Sequence, residues 1–557
     1  MITVTKNKET NRLNIQFSGS KFYNILQFVK YYKCKFIPAT KSWESTDELK
    51  DIPKFLNELK TLDDTVKIDN IIYDNNKPKK QIEIKSDNTD PQIKGWKIKL
   101  YEHQKGDINF LLAHHKCLLA NEMGCGKTIS LVGGAIKLYE LKQIKKVLIV
   151  CPSPIIPEWL NTINNHTNFK CTDIRKNRTY NTKTMFNITS IDMVYNDFMK
   201  RTDKNEANRK INNLDIKDYD LLIIDEAHKC ANKNLRFKAL RSIAHKIPRC
   251  WLASGTPLQN KLQEVYNLFT AFISKDLITW PYFIHHFCEK GGFLGKEIIG
   301  YKNLDEFSQL ISPFVRRFTK KSLGDIFVKK YEIRHWLPMS KEEMKFYENV
   351  KDQVIELAGD PLKEKKIRIA EELVLVNYLK QICNSLYEID ETKKVSTKIN
   401  KIEELLKEWN NEKVIIYSFY KKTSKLLYDT LSKHYNCYIY NGDNSKKLDQ
   451  AKEWFQQENN NVFIMSKVGT EGLNFNFCKK MIFLSLDYNP AILQQISDRI
   501  HRINSKEDVE IHYLIHEKTY EEHIMQIVDA KRNLQDSVIN CLSLNNQTER
   551  DIILDNV

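Results

Sequence analysis

Residues 116–128 read KCLLANEMGCGKT, a short apolar run that ends in a glycine-interrupted loop and opens into a helical pattern. Strand, glycine turn and helix start, in that order, make a cradle for an anion. Gly124 and Gly126 let backbone N–H groups turn inward, next to the partial positive charge of a helix N-terminus. Lys127 is placed to reach the terminal phosphates of a nucleotide, and Thr128 to put its hydroxyl on Mg²⁺. Position 121 is asparagine where the G-x-x-x-x-G-K-[ST] pattern has glycine, so the loop alone leaves nucleotide binding and a plain glycine turn equally open.

The run LLIIDEAH at 221–228 tips that balance. Four apolar residues make a buried strand that ends in adjacent carboxylates. Asp225 is suited to hold Mg²⁺ and Glu226 to polarise an attacking water, the division of labour phosphoryl transfer requires. Upstream, Gln104 in LYEHQ (100–104) carries an amide able to clasp an adenine edge. SGTPLQN at 254–260 is a polar turn suited to coupling hydrolysis to domain movement.

Around these motifs, apolar runs at 116–120, 147–151, 185–189, 221–225 and 250–254 alternate with amphipathic stretches, which predicts a parallel sheet covered by helices on both faces. From 264 to about 412 the rhythm is lost, and long charged helical patterns dominate, for example at 340–357 and 363–383. It returns at 413–418, 437–440, 462–466, 481–486 and 509–515. In this second α/β region GTEGLN (469–474) includes Gly472, and QISDRIHR (495–502) reads as helical. Arg499 and Arg502, three apart, are then neighbours on one helical face, placed to reach a γ-phosphate held by the first domain.

The first 62 residues differ again. Between Glu9 and Glu44 no acidic residue occurs, whereas Arg12, Lys21, Lys30, Lys33, Lys35 and Lys41 do, interleaved with Phe17, Phe22, Tyr23, Phe28, Tyr31, Tyr32, Phe36 and Trp43. Residues 13–17 alternate as a strand and 21–35 carry a helical pattern. Such a face suits phosphates and stacked bases, though most of these aromatics are expected to form the core of a small domain. The expected organisation is an accessory module at 1–73, a linker at 74–95, a first α/β domain at 96–263, a helical insertion and inter-lobe connection at 264–412, a second α/β domain at 413–535 and a tail at 536–557.

Composition sets outer bounds. The 557 residues carry 87 Lys plus Arg against 71 Asp plus Glu, a formal charge of +16 that points to a polyanionic partner. A hydrophobic fraction of 41% excludes a mostly disordered chain. The twelve cysteines stand as singletons without a C-x-x-C pair, which argues for a reducing compartment and against zinc modules. No apolar run suits a membrane span and the polar start lacks a signal h-region, so an intracellular protein with no membrane partner is expected.

With these residues in place the chain resembles the SNF2 family of superfamily 2 ATPases over roughly 96–532. NEMGCGKT, DEAH and SGTPLQN are similar to its first three ATP motifs, CPSPIIPEW (151–159) and FNITSIDMV (186–194) to its DNA-facing segments. GTEGLN, DYNPAILQQ (487–495) and QISDRIHRI are similar to the motifs of its second domain, and LKQICN (379–384) and 396–398 also match. Asn121, Cys125, Thr470 and Asn504-Ser505 depart from the usual pattern.

The resemblance implies an α/β fold of two tandem RecA-like domains with a helical insertion, preceded by a small α+β domain. It implies ATP as substrate and Mg²⁺ as cofactor, held by Thr128 and Asp225. Lys127, Asp225, Glu226, Arg499 and Arg502 would be catalytic. Gln104, Glu122, Met123, Gly124, Cys125, Gly126, Lys127, Thr128 and Gly472 would bind ATP, with His228, Ser254, Gly255, Thr256 and Gln495 coupling. Pro152, Ser153, Thr189, Ser190, Ser418, Phe419, Ser466 and Lys467 would face DNA.

The long stretch from Ser254 to Lys413, and the short one between Gly472 and Arg499, favour a duplex-DNA translocase over an unwinding helicase; a monomer on duplex or forked DNA that reads no sequence is expected. FIPATKSWE (36–44) resembles the accessory HARP domain of annealing helicases, which implies fork remodelling. The alternatives are an NTPase or helicase acting on RNA or in transcription termination, and a catalytically inactive DNA-binding scaffold. A nuclear or viral replication compartment is the expected location.

Overall fold

The computed structural model describes residues 2–6, 12–18, 22–38, 40–45, 55–56, 58–59, 67–69, 90–180, 182–201, 209–211, 216–275, 277–291, 297–359, 365–444, 447–470, 475–502 and 505–540. Gly472, most of the sequence-predicted linker and most of the tail lie outside these residues. The chain divides into two compact units, one of residues 1–86 with 265–315 and one of residues 87–264 with 316–557.

The larger unit holds two parallel sheets. The first has seven strands: Val315–Arg316 at one edge, then Lys116–Leu119, Arg249–Ala253, Leu221–Ile224, Val147–Cys151, Phe186–Ser190 and Cys171–Asp173, and from Lys116–Leu119 onward every adjacent pair is parallel. At its edge, the Ala120 N–H donates to the Arg316 carbonyl (2.8 Å). All residues of Val147–Cys151 and Leu221–Ile224 are buried, as expected of strands covered on both faces.

The second sheet runs Lys330–Leu337, Val509–His516, Lys480–Phe483, Val414–Tyr417, Val462–Met465, Cys437–Tyr440, again parallel throughout. Its alternate residues enter two cores: Ile415, Tyr417, Phe463 and Met465 on one face, Val414, Ile416, Val462 and Ile464 on the other. These are two RecA-like α/β lobes, with helices Lys341–Gly359, Lys365–Asn384 and Thr397–Glu408 between their motifs.

Residues 264–412 are therefore not one helical insertion. Lys330–Leu337 is a full strand of the second sheet, in register from Lys330↔Val509 to Leu337↔His516. As an edge strand it leaves Tyr331, Ile333 and Trp336 exposed, so it lacks the apolar run that marks a buried strand. Strand Cys171–Asp173, at an edge of the first sheet, was equally invisible to pattern reading.

In the smaller unit, a five-stranded sheet runs Lys35–Ile37, Ser42–Glu44, Leu13–Phe17, Ile2–Lys6, Lys67–Asp69. Helix Phe22–Tyr31 supplies Ile25, Phe28 and Val29 to a core with Ile2, Val4, Leu13, Ile15, Phe55, Leu56 and Leu59. The accessory module does not stand alone: the Thr279 hydroxyl donates to Glu58 Oε2 (2.7 Å), which also accepts from the Tyr32 hydroxyl (2.9 Å). The unit is completed by helices Trp280–Phe287 and Leu304–Ile311 and the hairpin Cys288–Gly291/Glu297–Tyr301. Among the described residues no helix is long and apolar enough to cross a membrane.

Candidate active site

The phosphate loop, the DEAH segment and the SGT turn all leave the C-terminal ends of first-sheet strands, where ligands of open α/β sheets bind. Strand Arg249–Ala253 lies between the other two, so the SGT turn sits between the loop and the acidic pair. Gly124 and Gly126 have φ of 84° and 79°, the left-handed region that favours glycine, and helix Lys127–Glu140 starts directly after them. A Cβ on Gly126 would collide with the Gln104 side-chain amide, and one on Gly255 would press on Met123. A side chain at 126 or 255 would therefore have to displace Gln104 or Met123, whereas Gly124 is required by its φ alone.

Lys127 Nζ donates to the Asn121 and Glu122 carbonyls (2.8 and 3.2 Å), which aims it across the mouth of the loop. Gln104 is buried and its Oε1 accepts from the Tyr101 N–H (3.0 Å), closing the turn that begins helix Glu102–Ala113. Asn121 is wholly buried. It donates to Asp107 Oδ2 (2.7 Å) and accepts from the Phe318 N–H (2.9 Å), a double role that an acidic residue at this position would not fill. Cys125 is buried too, with its carbonyl within hydrogen-bond distance of His103 Nε2 (2.9 Å), and burial pushes its thiol up to about 12.

Asp225 is buried. Its Oδ2 accepts from Trp159 Nε1 and its Oδ1 from the Glu226 N–H, both at 2.9 Å. Desolvation, then the neighbouring Glu226 charge, push its carboxyl above the usual carboxylate range. Glu226 has φ 51°, and its Oε2 is buried without a hydrogen bond, 3.4 Å from His228 Nδ1. Burial holds His228 down to about 3, so the imidazole is neutral and gives that carboxylate no counter-charge. His228 Nδ1 instead meets Ser254 Oγ (2.9 Å), and Ser254 Oγ accepts from the Thr256 N–H (3.2 Å), which ties the acidic pair to the SGT turn.

The second lobe closes the site. Helix Pro490–Ser497 ends at Asp498, so Arg499 and Arg502 follow the helix instead of sharing a helical face. The reason is long-range capture: the Arg499 carbonyl accepts from the Phe475 N–H (2.9 Å), and Lys320 binds Asp498 and the His501 carbonyl (2.6 and 2.7 Å). Both arginines nevertheless line one cleft of about 300 Å³ with Gln104, Gly124, Lys127, Thr128, Asp225, Glu226, Trp159, Glu158 and Gln495. Arg499 is 5% exposed, and desolvation followed by the Arg502 charge pulls its guanidinium down to about 10. Arg502 lies 3.9 Å from Glu158. Across the cleft, Gly124 faces Arg502, whose Cγ would lie 3.5 Å from a Cβ there.

The donor set fits a metal–polyphosphate. Three cations (Lys127, Arg499 and Arg502) line the cleft with the glycine cradle, and so do Thr128, the buried Asp225 and the half-buried Glu226, whose Oε2 is buried without a hydrogen bond. Among the described residues no cluster of three or more His, Cys, Asp or Glu forms a metal cage. That pattern suits Mg²⁺, which is commonly held by one or two protein oxygens together with substrate phosphates.

The DNA-facing assignments fare differently. Thr189 and Ser418 are wholly buried. Ser418 Oγ accepts from the Ser424 hydroxyl (2.9 Å), and Ser190 Oγ accepts from the Met193 N–H (3.1 Å). These three side chains are turned into the protein by local hydrogen bonds or strand packing, so they do not offer hydroxyls to a ligand. Pro152 is buried, Ser466 half-buried, and Ser153, Phe419 and Lys467 are exposed. Sequence reading placed Trp159 at the end of a DNA-facing segment, whereas its indole donates to Asp225, and it missed Asp107 and the run Arg316–Lys320, which only a basic doublet marked.

Residues 40–388 match the SNF2-related domain and residues 397–504 the helicase conserved C-terminal domain. The chain is 27% identical over 448 residues to the uncharacterized ATP-dependent helicase YqhH of Bacillus subtilis, covering 76% of each protein. It is 24% identical over 474 residues to the ISWI chromatin-remodeling complex ATPase of Saccharomyces cerevisiae, covering 79% of this chain but only 40% of that one. Among solved structures, the SWI2/SNF2 ATPase core of Sulfolobus solfataricus in complex with dsDNA is 20% identical, covering 80% of this chain and 94% of that chain with a TM-score of 0.37.

Proposed function

The chain belongs to the SNF2 family of ATP-dependent helicase-like proteins, and from that premise we propose that it is an ATP-driven translocase on duplex DNA. The observation that carries the reading is the cleft in which Lys127, Asp225 and Glu226 of the first lobe meet Arg499 and Arg502 of the second.

Lys127 and the loop N–H groups bind the phosphates. Thr128 and Asp225 would hold Mg²⁺, which when bound neutralises charge on the β- and γ-oxygens. Glu226 orients the attacking water, its own charge unmatched by the neutral His228. Arg499 and Arg502 meet the charge that builds on the transferring phosphoryl group, a contribution typically worth ~10³–10⁵ in rate. Because the arginines and the loop lie on different lobes, hydrolysis and lobe movement are one event. His228–Ser254 relays that event from the acidic pair to the SGT turn.

The DNA track follows the strand ends that carry Ser153, Phe419 and Lys467, with backbone N–H groups and basic side chains meeting phosphates. Sequence-independent, salt-sensitive binding follows. For the accessory module, exposed Lys33, Lys35, Lys41 and Phe36 support a reading as a junction-binding face that would make the motor a fork remodeller.

The test is steady-state ATP hydrolysis against single-strand, duplex and forked DNA and against RNA. Duplex DNA stimulating most supports translocation, and RNA stimulating most overturns it. Glutamate at Lys33, Lys35 and Lys41 tests the module better than deletion, because Glu58 and its neighbours pack with 265–315. Loss confined to forked substrate supports the fork reading; an unchanged profile removes it.

A further inference from the structure

The segment Arg316-Arg317-Phe318-Thr319-Lys320 contributes no atom to the cleft lining, yet it touches three ATP elements. Arg316 Nε pairs with Asp107 (3.1 Å), whose other oxygen binds Asn121 and Ser130 at the base of the phosphate loop. Arg317 is wholly buried. Its guanidinium donates to the Ala120 carbonyl at the loop's entry and to the Gly255 carbonyl of the SGT turn (3.3 Å), with Glu122 Oε1 3.7 Å away. The Glu122 N–H donates to the Phe318 carbonyl (2.9 Å), and the Lys320 N–H to Glu122 Oε2 (2.7 Å). By its backbone, the segment is part of the first lobe's loop.

By its last side chain it is part of the second lobe. Lys320 is 7% exposed, and its ammonium meets Asp498 Oδ1 (2.6 Å), the His501 carbonyl (2.7 Å) and His501 Nδ1 (3.3 Å). Three donors therefore go to three acceptors, all within the four residues that include Arg499. The His501 tautomer follows: Nδ1 accepts from Lys320, so Nε2 carries the hydrogen and donates to the Val328 carbonyl (2.8 Å). A buried ion pair is weak evidence for a stabilising role. Placement is the stronger argument, because a chain of hydrogen bonds runs from the phosphate loop through Glu122 and Lys320 to Asp498 and the arginine beside it.

We propose that Lys320 is a positioning residue for hydrolysis. Anchored to the loop through Glu122 and Arg317, it sets the distance of the Arg499 segment from the phosphates. The proposal rests on the ATPase reading above, and its test separates the two. In Lys320→Met, duplex-stimulated kcat falls about 10- to 100-fold, the scale of a misplaced catalytic group. Binding of a fluorescent ATP analogue changes less than about threefold, since Lys127 and the loop are untouched.

Because Lys320 acts through Arg499, the double variant Lys320→Met/Arg499→Ala hydrolyses ATP no more slowly than Arg499→Ala alone. Multiplied losses would show Lys320 acting independently and would overturn the proposal. So would a Lys320→Met turnover within twofold of wild type while Arg499→Ala is impaired, an outcome that leaves the cleft assignment standing. Amide hydrogen exchange gives a readout free of activity: residues 498–502 exchange faster in Lys320→Met, and unchanged exchange refutes the strap even if the chain hydrolyses nothing. Should Lys320→Met fail to fold, Asp498→Asn carries the same measurements, with a smaller loss in the same direction expected and no loss contradicting the proposal.

Discussion

Two neighbouring halves of one sheet edge treat their side chains in opposite ways. After Lys116–Leu119, Leu221–Ile224 and Arg249–Ala253, the chain sends Lys127, Asp225, Glu226 and, through His228, Ser254 toward a single cleft. After Val147–Cys151 and Phe186–Ser190, it buries Pro152 and Thr189 and spends the Ser190 hydroxyl on a helix start. Ser418 in the second sheet behaves like the latter group. The difference follows from the task. Phosphoryl transfer needs particular atoms within hydrogen-bond reach of one phosphorus, so it fixes side chains. Holding a duplex without reading bases, the task proposed for the other half, needs N–H groups and charge along a line, which backbone and scattered lysines would supply.

The largest effects are expected in the first half. Gly126→Ala places a Cβ against Gln104 at a φ of 79°, so nucleotide binding measured by fluorescence should be lost altogether. Retained micromolar binding would show the loop to be more plastic than its packing implies. Next is Trp159→Phe, which keeps the ring packing and removes the donor to Asp225. At roughly 1–3 kcal/mol for a buried charged acceptor left short of a partner, turnover should drop about 5- to 150-fold and the Mg²⁺ concentration for half-activity should shift. Unchanged Mg²⁺ dependence would break the link between Trp159 and the metal site.

Acid should act on buried histidines of the second lobe. Burial first, then Lys320, hold His501 down to about 4, against the pull of Asp498; Lys330 adds to the lowering. The unfolded chain takes up that proton near pH 6.5 and the folded chain only near 4, so the contribution of His501 to stability is lost as pH drops through that window and is constant above about pH 7, while the raised carboxyl of Asp225 acts with the opposite sign. His512, also held down to about 4, shares the sign. Urea midpoints at pH 7.5 and 5 should therefore differ, and His501→Gln should narrow the gap; an equal gap would assign the effect elsewhere.

The smallest effects belong to the second half. Thr189→Val and Ser418→Ala should leave duplex affinity within about twofold, while Lys467→Ala lowers it and reduces the salt slope by ~0.9. The reverse order would restore those hydroxyls as contacts.

The same comparison explains what was legible in the sequence. Buried strands such as Leu221–Ile224 announce themselves as apolar runs, and the two-lobe architecture follows from their repetition. Edge strands do not: Lys330–Leu337 exposes Tyr331, Ile333 and Trp336, so its charged alternation read as part of a helical block. Local chemistry with fixed spacing, such as NEMGCGKT or DEAH, could be read directly. Arg499 and Arg502 were found, but on a helix that in fact stops at Ser497, because distant Lys320 and Phe475 capture the chain there. The strap Arg316–Lys320, and the joining of the N-terminal module with 265–315, depend on pairings between residues far apart in the chain that no local window contains.

The central claim is that hydrolysis is completed by a residue of the second lobe. Single-turnover hydrolysis by Arg499→Ala on duplex DNA, with ATP-analogue binding measured on the same sample, tests it most directly. The account predicts hydrolysis lower by ~10³ or more with binding within a few-fold of wild type; wild-type turnover in that variant would contradict it.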